Sequence, residues 1–189
     1  MRRAIVLAVL AGCKCGSGAP ADSGASPAWL DAGEDVNVAR PADLEEMWTR
    51  ASDAGDDELE RLALAEGTAG LEERATSPAY RLTALRAMAF TPGFSAFPTL
   101  GSAAAHGSEA EALAAVDAAD AIAARKREQV DPEDDDELAA GCASLLAAAK
   151  DAARPRPVRI GAVRALRMLS DRPACTKPDA IPTDVDVKR

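Results

Sequence analysis

Two nine-residue stretches of this 189-residue chain are near copies of each other. Residues 80–88 and 158–166 lie 78 positions apart; they share four identical positions and exchange one apolar side chain for another at three more. Half of this offset falls in the range of roughly 20–45 residues found in helical repeat arrays, whose units bury their apolar faces only by stacking. The chain is therefore predicted to form an all-α domain, a short α-α superhelix of stacked helix pairs.

A third and weaker copy lies between these two. Residues 113–118 repeat the apolar positions of residues 82–87 at an offset of 31. Ala112 and Asp117 stand where the two arginines of the other copies would lie. The remaining offset to the last copy is 47 residues, so the acidic stretch after Glu128 is interpreted as an insertion.

Capping and stop signals divide the centre of the chain into helices. Residues 43–53 are predicted to form a short capping helix that opens on a capping-box pattern. Three helix pairs are predicted to follow over residues 56–91, 97–128 and 134–171. Residues 172–189 contain three prolines and little periodicity, and are predicted to form an extended tail.

Several ends of these helices are predicted from local signals. Ser77 and Pro78 predict the start of the second helix of the first pair, because proline is favoured at the first helical position. Ser108 and Glu111 form a capping box before the second helix of the second pair. Gly67 is expected to weaken the first helix locally. The last helix is predicted to carry one buried stripe, formed by Val158, Ala162, Ala165, Leu166 and Leu169.

The composition excludes some classes of partner. Aromatic residues make up 3% of the chain, and the formal net charge is −9. Nucleic-acid binding is not expected, because phosphate neutralisation needs an excess of Lys and Arg on one face. A polybasic attachment to anionic lipid is disfavoured for the same reason.

The first thirteen residues have the pattern of an exported protein. Two arginines precede a short apolar run, which is typical of a secretory signal and too short to span a bilayer. The run ends in Leu10-Ala11-Gly12-Cys13, which resembles the lipobox of bacterial lipoproteins. This resemblance implies that residues 1–12 are removed as a signal peptide and that Cys13 receives a lipid.

The lipobox resemblance also implies a location in the cell. Lys14 follows the cysteine, whereas an Asp at that position is the usual signal for retention in the inner membrane. The protein is therefore expected in the bacterial cell envelope, lipid-anchored, at the outer membrane and facing the periplasm. Residues 13–28 are rich in Gly, Ser, Ala and Pro, and are predicted to form a flexible tether.

The repeated stretches resemble the second helices of the HEAT-repeat family. Those helices often read Val-Arg-x-x-Ala-x-x-Ala-Leu, and residues 158–166 fit this form. Residues 80–88 fit less well, and the middle copy fits poorly. The resemblance covers about two-thirds of the chain and implies a HEAT-like repeat domain over residues 41–171. It also implies that one face of the stacked helices recognises a partner, which is expected to be another protein.

No catalytic residue, cofactor or metal site is predicted. His106, the only histidine, lies at the end of a predicted helix, and Ser108 is better explained as a helix cap than as a nucleophile. The acidic run over residues 131–137 could bind Ca²⁺, but it lacks the glycine and the distal glutamate of an EF-hand loop. A solvated helix start is the favoured interpretation of this run, and the chain is expected not to be an enzyme.

Four arginines of the repeated stretches are candidates for contact with an acidic partner. They are Arg81, Arg86, Arg159 and Arg164. Arg159 and Arg164 are five positions apart and do not share a helix face. The favoured alternative is that these side chains pair with nearby carboxylates of the same chain.

Two cysteines are predicted to form a disulfide. Cys142 lies in the second turn of a predicted helix, and Cys175 follows the end of its antiparallel partner by a few residues. The intervening extended residues span roughly 13 Å, which is enough for the tail to fold back onto Cys142. Such a bridge would tie the tail to the last helix pair in an oxidising compartment.

The first functional hypothesis is a lipid-anchored, extracytoplasmic helical-repeat module that binds or scaffolds a partner without catalysis. The second is a structural envelope lipoprotein that packs into an assembly and recognises no discrete ligand. The third is a cytoplasmic helical-repeat protein whose leader is accidental.

Overall fold

The computed structural model describes residues 41–53, 55–126 and 135–185. These residues belong to one compact unit, Val38–Arg189, and they form seven α-helices and no strand. The helices are α1 Pro41–Ala51, α2 Asp56–Ala75, α3 Arg81–Ala87, α4 Phe97–His106, α5 Glu109–Lys126, α6 Asp135–Lys150 and α7 Arg156–Met168. The prediction of an all-α fold is confirmed. The predicted signal peptide, the lipobox-like sequence with Cys13, the predicted tether and residues 131–134 of the acidic run lie outside the described residues.

The helices form three antiparallel pairs in two layers. In each pair the first helix packs on the second, so α2 lies on α3, α4 on α5, and α6 on α7. Neighbouring pairs join within the layers, because α4 contacts α6 and α5 contacts both α3 and α7. α1 packs on α2 in front of the first pair. This is the predicted order of a capping helix followed by three helix pairs.

The repeated stretches supply the shared interior between the pairs. They lie on α3, α5 and α7, and Leu85 and Val163 are only 1% and 0% exposed. Four equivalent positions are buried in all three copies: Ala84, Leu85, Ala87 and Met88; Ala115, Val116, Ala118 and Ala119; Ala162, Val163, Ala165 and Leu166. The predicted stripe on the last helix is buried as well. Each second helix thus presents the same small-residue face to its neighbours, and no pair could bury that face alone.

Glycines set the close packing between the second and third pairs. A Cβ atom on Gly141 of α6 would lie 2.7 Å from the carbonyl oxygen of Phe97 in α4, and one on Gly101 would lie 2.8 Å from the Gly141 carbonyl oxygen. In the other layer, a Cβ atom on Gly161 of α7 would meet Val116 of α5 at 2.6 Å. Such distances leave no room for even a methyl group. The backbones of α4 and α6 therefore lie in direct contact, and the α7 backbone lies directly against the Val116 side chain.

Polar bridges replace this close packing between the first and second pairs. The Thr99 hydroxyl of α4 donates a hydrogen bond of 2.8 Å to Glu72 Oε1 of α2. Ahead of α4, the Ser95 hydroxyl lies 3.1 Å from Thr68 Oγ1. α2 itself departs from helical geometry at Gly67, where φ is 65° and ψ is 178°, as the expectation of a local weakness there predicted. The two pairs therefore meet across a looser seam.

α1 is fixed to the first pair by a cluster of rings and charges. Trp48 is buried, and its indole N–H donates a hydrogen bond of 2.6 Å to Glu66. The Arg74 guanidinium lies over the rings of Trp48 and Tyr80, 5.4 and 4.9 Å from their centroids. Its hydrogen bond to Glu45 lowers the pKa of that carboxyl group. The capping helix thus closes the free side of the first pair.

Some predicted helix ends are wrong by a few residues. The helix predicted from Ser77 begins instead at Arg81, because residues 77–80 form a turn in which the Ser77 carbonyl accepts the N–H groups of Tyr80 and Arg81. The Pro78 signal therefore belongs to a turn, in which proline is equally acceptable. The second helix of the last pair begins at Arg156 and ends at Met168 instead of spanning 158–171, since its proline is tolerated within the first turn.

The capping helix also differs from its prediction. α1 begins at Pro41 and ends at Ala51, two residues earlier at each end than residues 43–53. Asp43 therefore lies inside the first turn and does not cap it. A carboxylate in that turn still interacts favourably with the helix dipole.

The tail after α7 folds back onto the last pair. It contains a 3-10 turn at Pro178–Ala180 that the expected extended tail did not include. Ile181 and Val185 are buried in the core, and Asp184 lies 3.6 Å from Arg159 of α7. The described part of the tail, residues 172–185, is therefore a packed segment of the domain.

Candidate functional site

The predicted disulfide is present. Cys142 is buried in the second turn of α6 and is bonded to Cys175, with 5.5 Å between their Cα atoms. The bridge joins the last helix pair to the tail at the position expected from the antiparallel order of α6 and α7. It is a covalent constraint within the domain and leaves neither sulfur as a free thiol.

Arg81 and Arg159 hold equivalent places in two copies and make equivalent contacts. The Nε of Arg81 donates to the carbonyl of Ala75, the last residue of α2, at 2.7 Å. The Nε of Arg159 donates to the carbonyl of Ala149, near the end of α6, at 3.1 Å. Helix C-terminal carbonyls have no partner within their own helix and attract cations. The repeated arginine therefore caps the first helix of its own pair.

The other two candidate arginines are also engaged within the chain. Arg86 Nη1 donates to the Ser52 carbonyl at 3.4 Å, and Arg164 Nη2 lies 2.6 Å from Asp120 Oδ2. Burial raises the pKa of Asp120, and the Arg164 charge opposes this rise. The four arginines are divided between α3 and α7, and these contacts favour the interpretation that they pair within the chain. Their contact with a partner stays a prediction.

An open groove of about 620 Å³ lies between α2 and α4. The last turns of α2 and α4 and the starts of α3 and α5 form its walls. Its size falls within the roughly 300–1,000 Å³ of small-ligand pockets. The apolar surface comes from Ala75, Leu85, Pro98 and Ala103. This groove occupies the seam where polar bridges replace glycine contacts, and the sequence did not predict it.

Charged side chains converge on this groove. Arg81 and Glu111 line it together with Glu72 and His106. Arg81 Nη1 lies 3.6 Å from Glu111 Oε1. The N–H of Ser108 donates a hydrogen bond of 2.7 Å to Glu111 Oε2, and hydrogen bonds from Ser108 and the Arg81 charge lower the pKa of Glu111. Both the arginine and the capping-box glutamate are thus held in place by the protein.

A second groove of about 590 Å³ lies between α3 and α5 on the opposite layer. Leu82 of α3, which is 43% exposed, lines it together with Phe90 and Leu113. Arg125 closes one end by donating to the carbonyls of Ala89 and Thr91. The seam between the first and second pairs is therefore open on both faces of the domain.

His106 and Ser108 lie where the sequence predicted. His106 is the exposed last residue of α4, with Gly107 as its C-cap. Ser108 caps α5 through the reciprocal capping box, in which Glu111 N–H donates to Ser108 Oγ at 3.4 Å. Within the described residues, no three His, Cys, Asp or Glu side chains are placed to hold a metal ion. The capping box is confirmed, and the lack of catalysis stays a prediction.

None of the helices in the described part of the chain is both long and apolar enough to cross a bilayer. Comparisons of the chain with protein-family models, with curated proteins and with solved structures found no match. The functional argument therefore depends on the residues and contacts of this chain.

Proposed function

We propose that this protein is a lipid-anchored, extracytoplasmic binding module of the HEAT-like type, with no catalytic activity. Its anchor is the lipid on Cys13, its tether is residues 13–28, and its recognition element is the helical domain. The support for a HEAT-like domain is the order of the helix pairs and the shared burial of the three repeated copies.

The disulfide is the main support for the proposed extracytoplasmic location. Cys142 and Cys175 are bonded within the folded domain, and such bridges persist in oxidising compartments such as the periplasm. The lipobox pattern lies more than a hundred residues away in the sequence and requires the same compartment. These two features are chemically independent, and their agreement argues against an accidental leader.

The open groove between α2 and α4 supports binding over a purely packing role. Its wall combines apolar side chains with charged groups that the protein holds in place. A surface that only packed into an assembly would need no concave site of this kind. The groove is the recognition surface assigned to the module.

Mass spectrometry of the mature N-terminus tests the anchor. We expect the native protein from the cell envelope to begin at Cys13 and to carry the added mass of acyl chains. An N-terminus that retains Met1, or a Cys13 without lipid, would remove the lipoprotein proposal.

Cross-linking in intact cells tests the binding role. We expect one protein to be recovered in a fixed ratio with the wild-type chain and to be lost when the groove is altered by Glu72→Lys. The control is Glu73→Lys, which makes the same charge change at an exposed neighbour that does not line the groove. Equal recovery of envelope components with all three chains would favour the structural-lipoprotein alternative.

A further inference from the structure

We infer that the groove between α2 and α4 receives an alkylammonium group, the side chain of a lysine presented by the partner protein. This inference deepens the proposed binding function and rests on it. It reverses the sign of the partner charge that the arginines of the repeated stretches suggest from sequence alone.

The arginine in the groove wall, Arg81, is already paired within the protein. Arg81 Nε and Nη2 donate to the carbonyls of Ala75 and Thr76 at 2.7 and 3.1 Å. Its Nη1 lies 3.6 Å from Glu111 Oε1. The positive charge is therefore compensated by the C-terminal end of α2 and by one carboxylate. The guanidinium therefore attracts an acidic ligand less strongly than an unpaired arginine would.

The charge that remains in the groove is negative. Glu72 lines the wall as a second carboxylate, and the C-terminal turns of α2 and α4 both end there. A helix C-terminus carries a partial negative charge equivalent to about half an elementary charge. The starts of α3 and α5 lie in the same wall and offset these two ends. Because Arg81 is paired with Glu111, the uncompensated charge is that of Glu72, and the groove attracts cations.

The geometry at Glu72 favours an ammonium over a guanidinium. Glu72 Oε1 accepts the Thr99 hydroxyl at 2.8 Å, which leaves Oε2 for a ligand. A guanidinium binds carboxylates best through two parallel hydrogen bonds, whereas an ammonium is a compact charge that needs a single oxygen. A lysine is therefore a better match than an arginine.

The apolar wall of the groove offers a packing surface for the methylene groups of the lysine. Leu85 and Ala75 are buried beneath the groove, and Pro98 and Ala103 are half-buried on its α4 side. A lysine stem packs its methylenes on such a surface while its charged end stays near polar groups. The volume of about 620 Å³ exceeds one side chain, so backbone flanking the lysine also fits. This favours a protein segment over a small free amine.

An NMR titration of the full chain with a capped Ala-Ala-Lys-Ala-Ala peptide tests this inference. We expect saturable shifts of the amide signals of Thr76, Ser102 and Gly107, which all lie in the groove wall. Glu72→Gln should weaken the binding at least about tenfold, because it removes one charge-assisted hydrogen bond. The glutamine can still accept the Thr99 hydroxyl, so the fold should persist, as circular dichroism will verify.

Two controls make the titration decisive. Glu73→Gln makes the same change on the same helix away from the groove and should leave the affinity unchanged. A peptide with norleucine in place of lysine keeps the stem without the charge and should not bind at millimolar concentration. Absence of shifts with the lysine peptide, equal binding by Glu72→Gln, or tighter binding of free cadaverine than of the peptide would each overturn the inference.

Failure of this inference is distinguishable from failure of the proposed function. A lipidated chain that cross-links a partner unaffected by Glu72→Lys would remove the groove assignment and leave the binding module intact. A chain that recovers no stoichiometric partner would remove the module itself, whatever the peptide result.

Discussion

Gly141 of α6 lies directly against Phe97 of α4, so that a Cβ atom on the glycine would come within 2.7 Å of the phenylalanine carbonyl oxygen. The opposing atoms belong to backbone and cannot rotate away. In the other layer Gly161 of α7 lies equally close to the side chain of Val116, and the two contacts make this half of the domain the more tightly packed one.

Gly141→Ala is expected to lower the free energy of unfolding by about 1–3 kcal/mol, because the added methyl group overpacks the α4–α6 contact. Alanine has a higher helix propensity than glycine by about 1 kcal/mol. The overpacking must therefore outweigh this gain in propensity for the variant to be less stable. Urea unfolding measures the net change. Ala143→Gly, at an exposed position of the same helix, measures the difference in helix propensity between alanine and glycine without a change in packing. A stabilised Gly141→Ala variant would contradict the close contact.

Gly67→Ala is expected to destabilise the domain by roughly 1–3 kcal/mol, because φ 65° with ψ 178° is open essentially to glycine alone. The cost is conformational, since nothing lies within 4 Å of a Cβ atom built there. Gly55→Ala is the matched control, with equally open space and an ordinary φ of −77°. As an N-cap change it should cost about 0.5–1 kcal/mol, because alanine is a poorer N-cap than glycine. Equal effects of the two variants in urea unfolding would contradict the interpretation.

Removal of the disulfide is expected to cost roughly 2–4 kcal/mol, because the bridge spans 33 positions and restricts the unfolded chain. The double variant Cys142→Ala with Cys175→Ala should therefore melt well below the wild type. A reductant should lower the melting temperature of the wild type and leave that of the double variant unchanged. A reductant effect of the same size on both proteins would show that the bridge is not its target.

The capping box at Glu111 is expected to make stability depend on pH. Hydrogen bonds from Ser108 hold the pKa of Glu111 below its ordinary value of 4.5. A lowered folded-state pKa stabilises the protein above the unfolded pKa, and this contribution disappears as pH falls through the folded pKa. Glu111→Gln keeps the reciprocal hydrogen bond without the charge. Its melting temperature should fall below that of the wild type at pH 7 and converge with it as the pH falls through the folded-state pKa of Glu111. If the difference in melting temperature between the two proteins stays constant with pH, the destabilisation arises from packing and not from the charge of Glu111.

Several features could be predicted from sequence because their signals are local. α4 ends where His106 and Gly107 indicated, and the capping box of Ser108 and Glu111 has the expected reciprocal bonds. The Cys142–Cys175 bridge followed from antiparallel helix order, which fixes which ends meet. Residue type and spacing along one helix, or across one turn, were sufficient for these predictions.

The grooves and the arginine contacts could not be predicted, because they depend on distances between helices that are not neighbours in sequence. Ala114 stands in the middle copy where Gly161 stands in the last, and this difference was a sequence signal that adjacent pairs pack unequally. Arg81 was a candidate for contact with an acidic partner, although pairing with a carboxylate of the same chain was the favoured alternative. Its carbonyl partners at the end of α2 have no sequence signature, since every residue carries a carbonyl group.

The covalent link at Cys175 also gives the tail a kinetic property. Ile181 and Val185 lie within ten positions of Cys175. When local unfolding moves them out of the core, the bridge therefore holds them close to the surface against which they pack. Their return is unimolecular with or without the bridge, but the bridge shortens the free segment and so raises its effective concentration at the core. After local unfolding, this segment should therefore repack before a protease can cleave it, for as long as the disulfide remains intact.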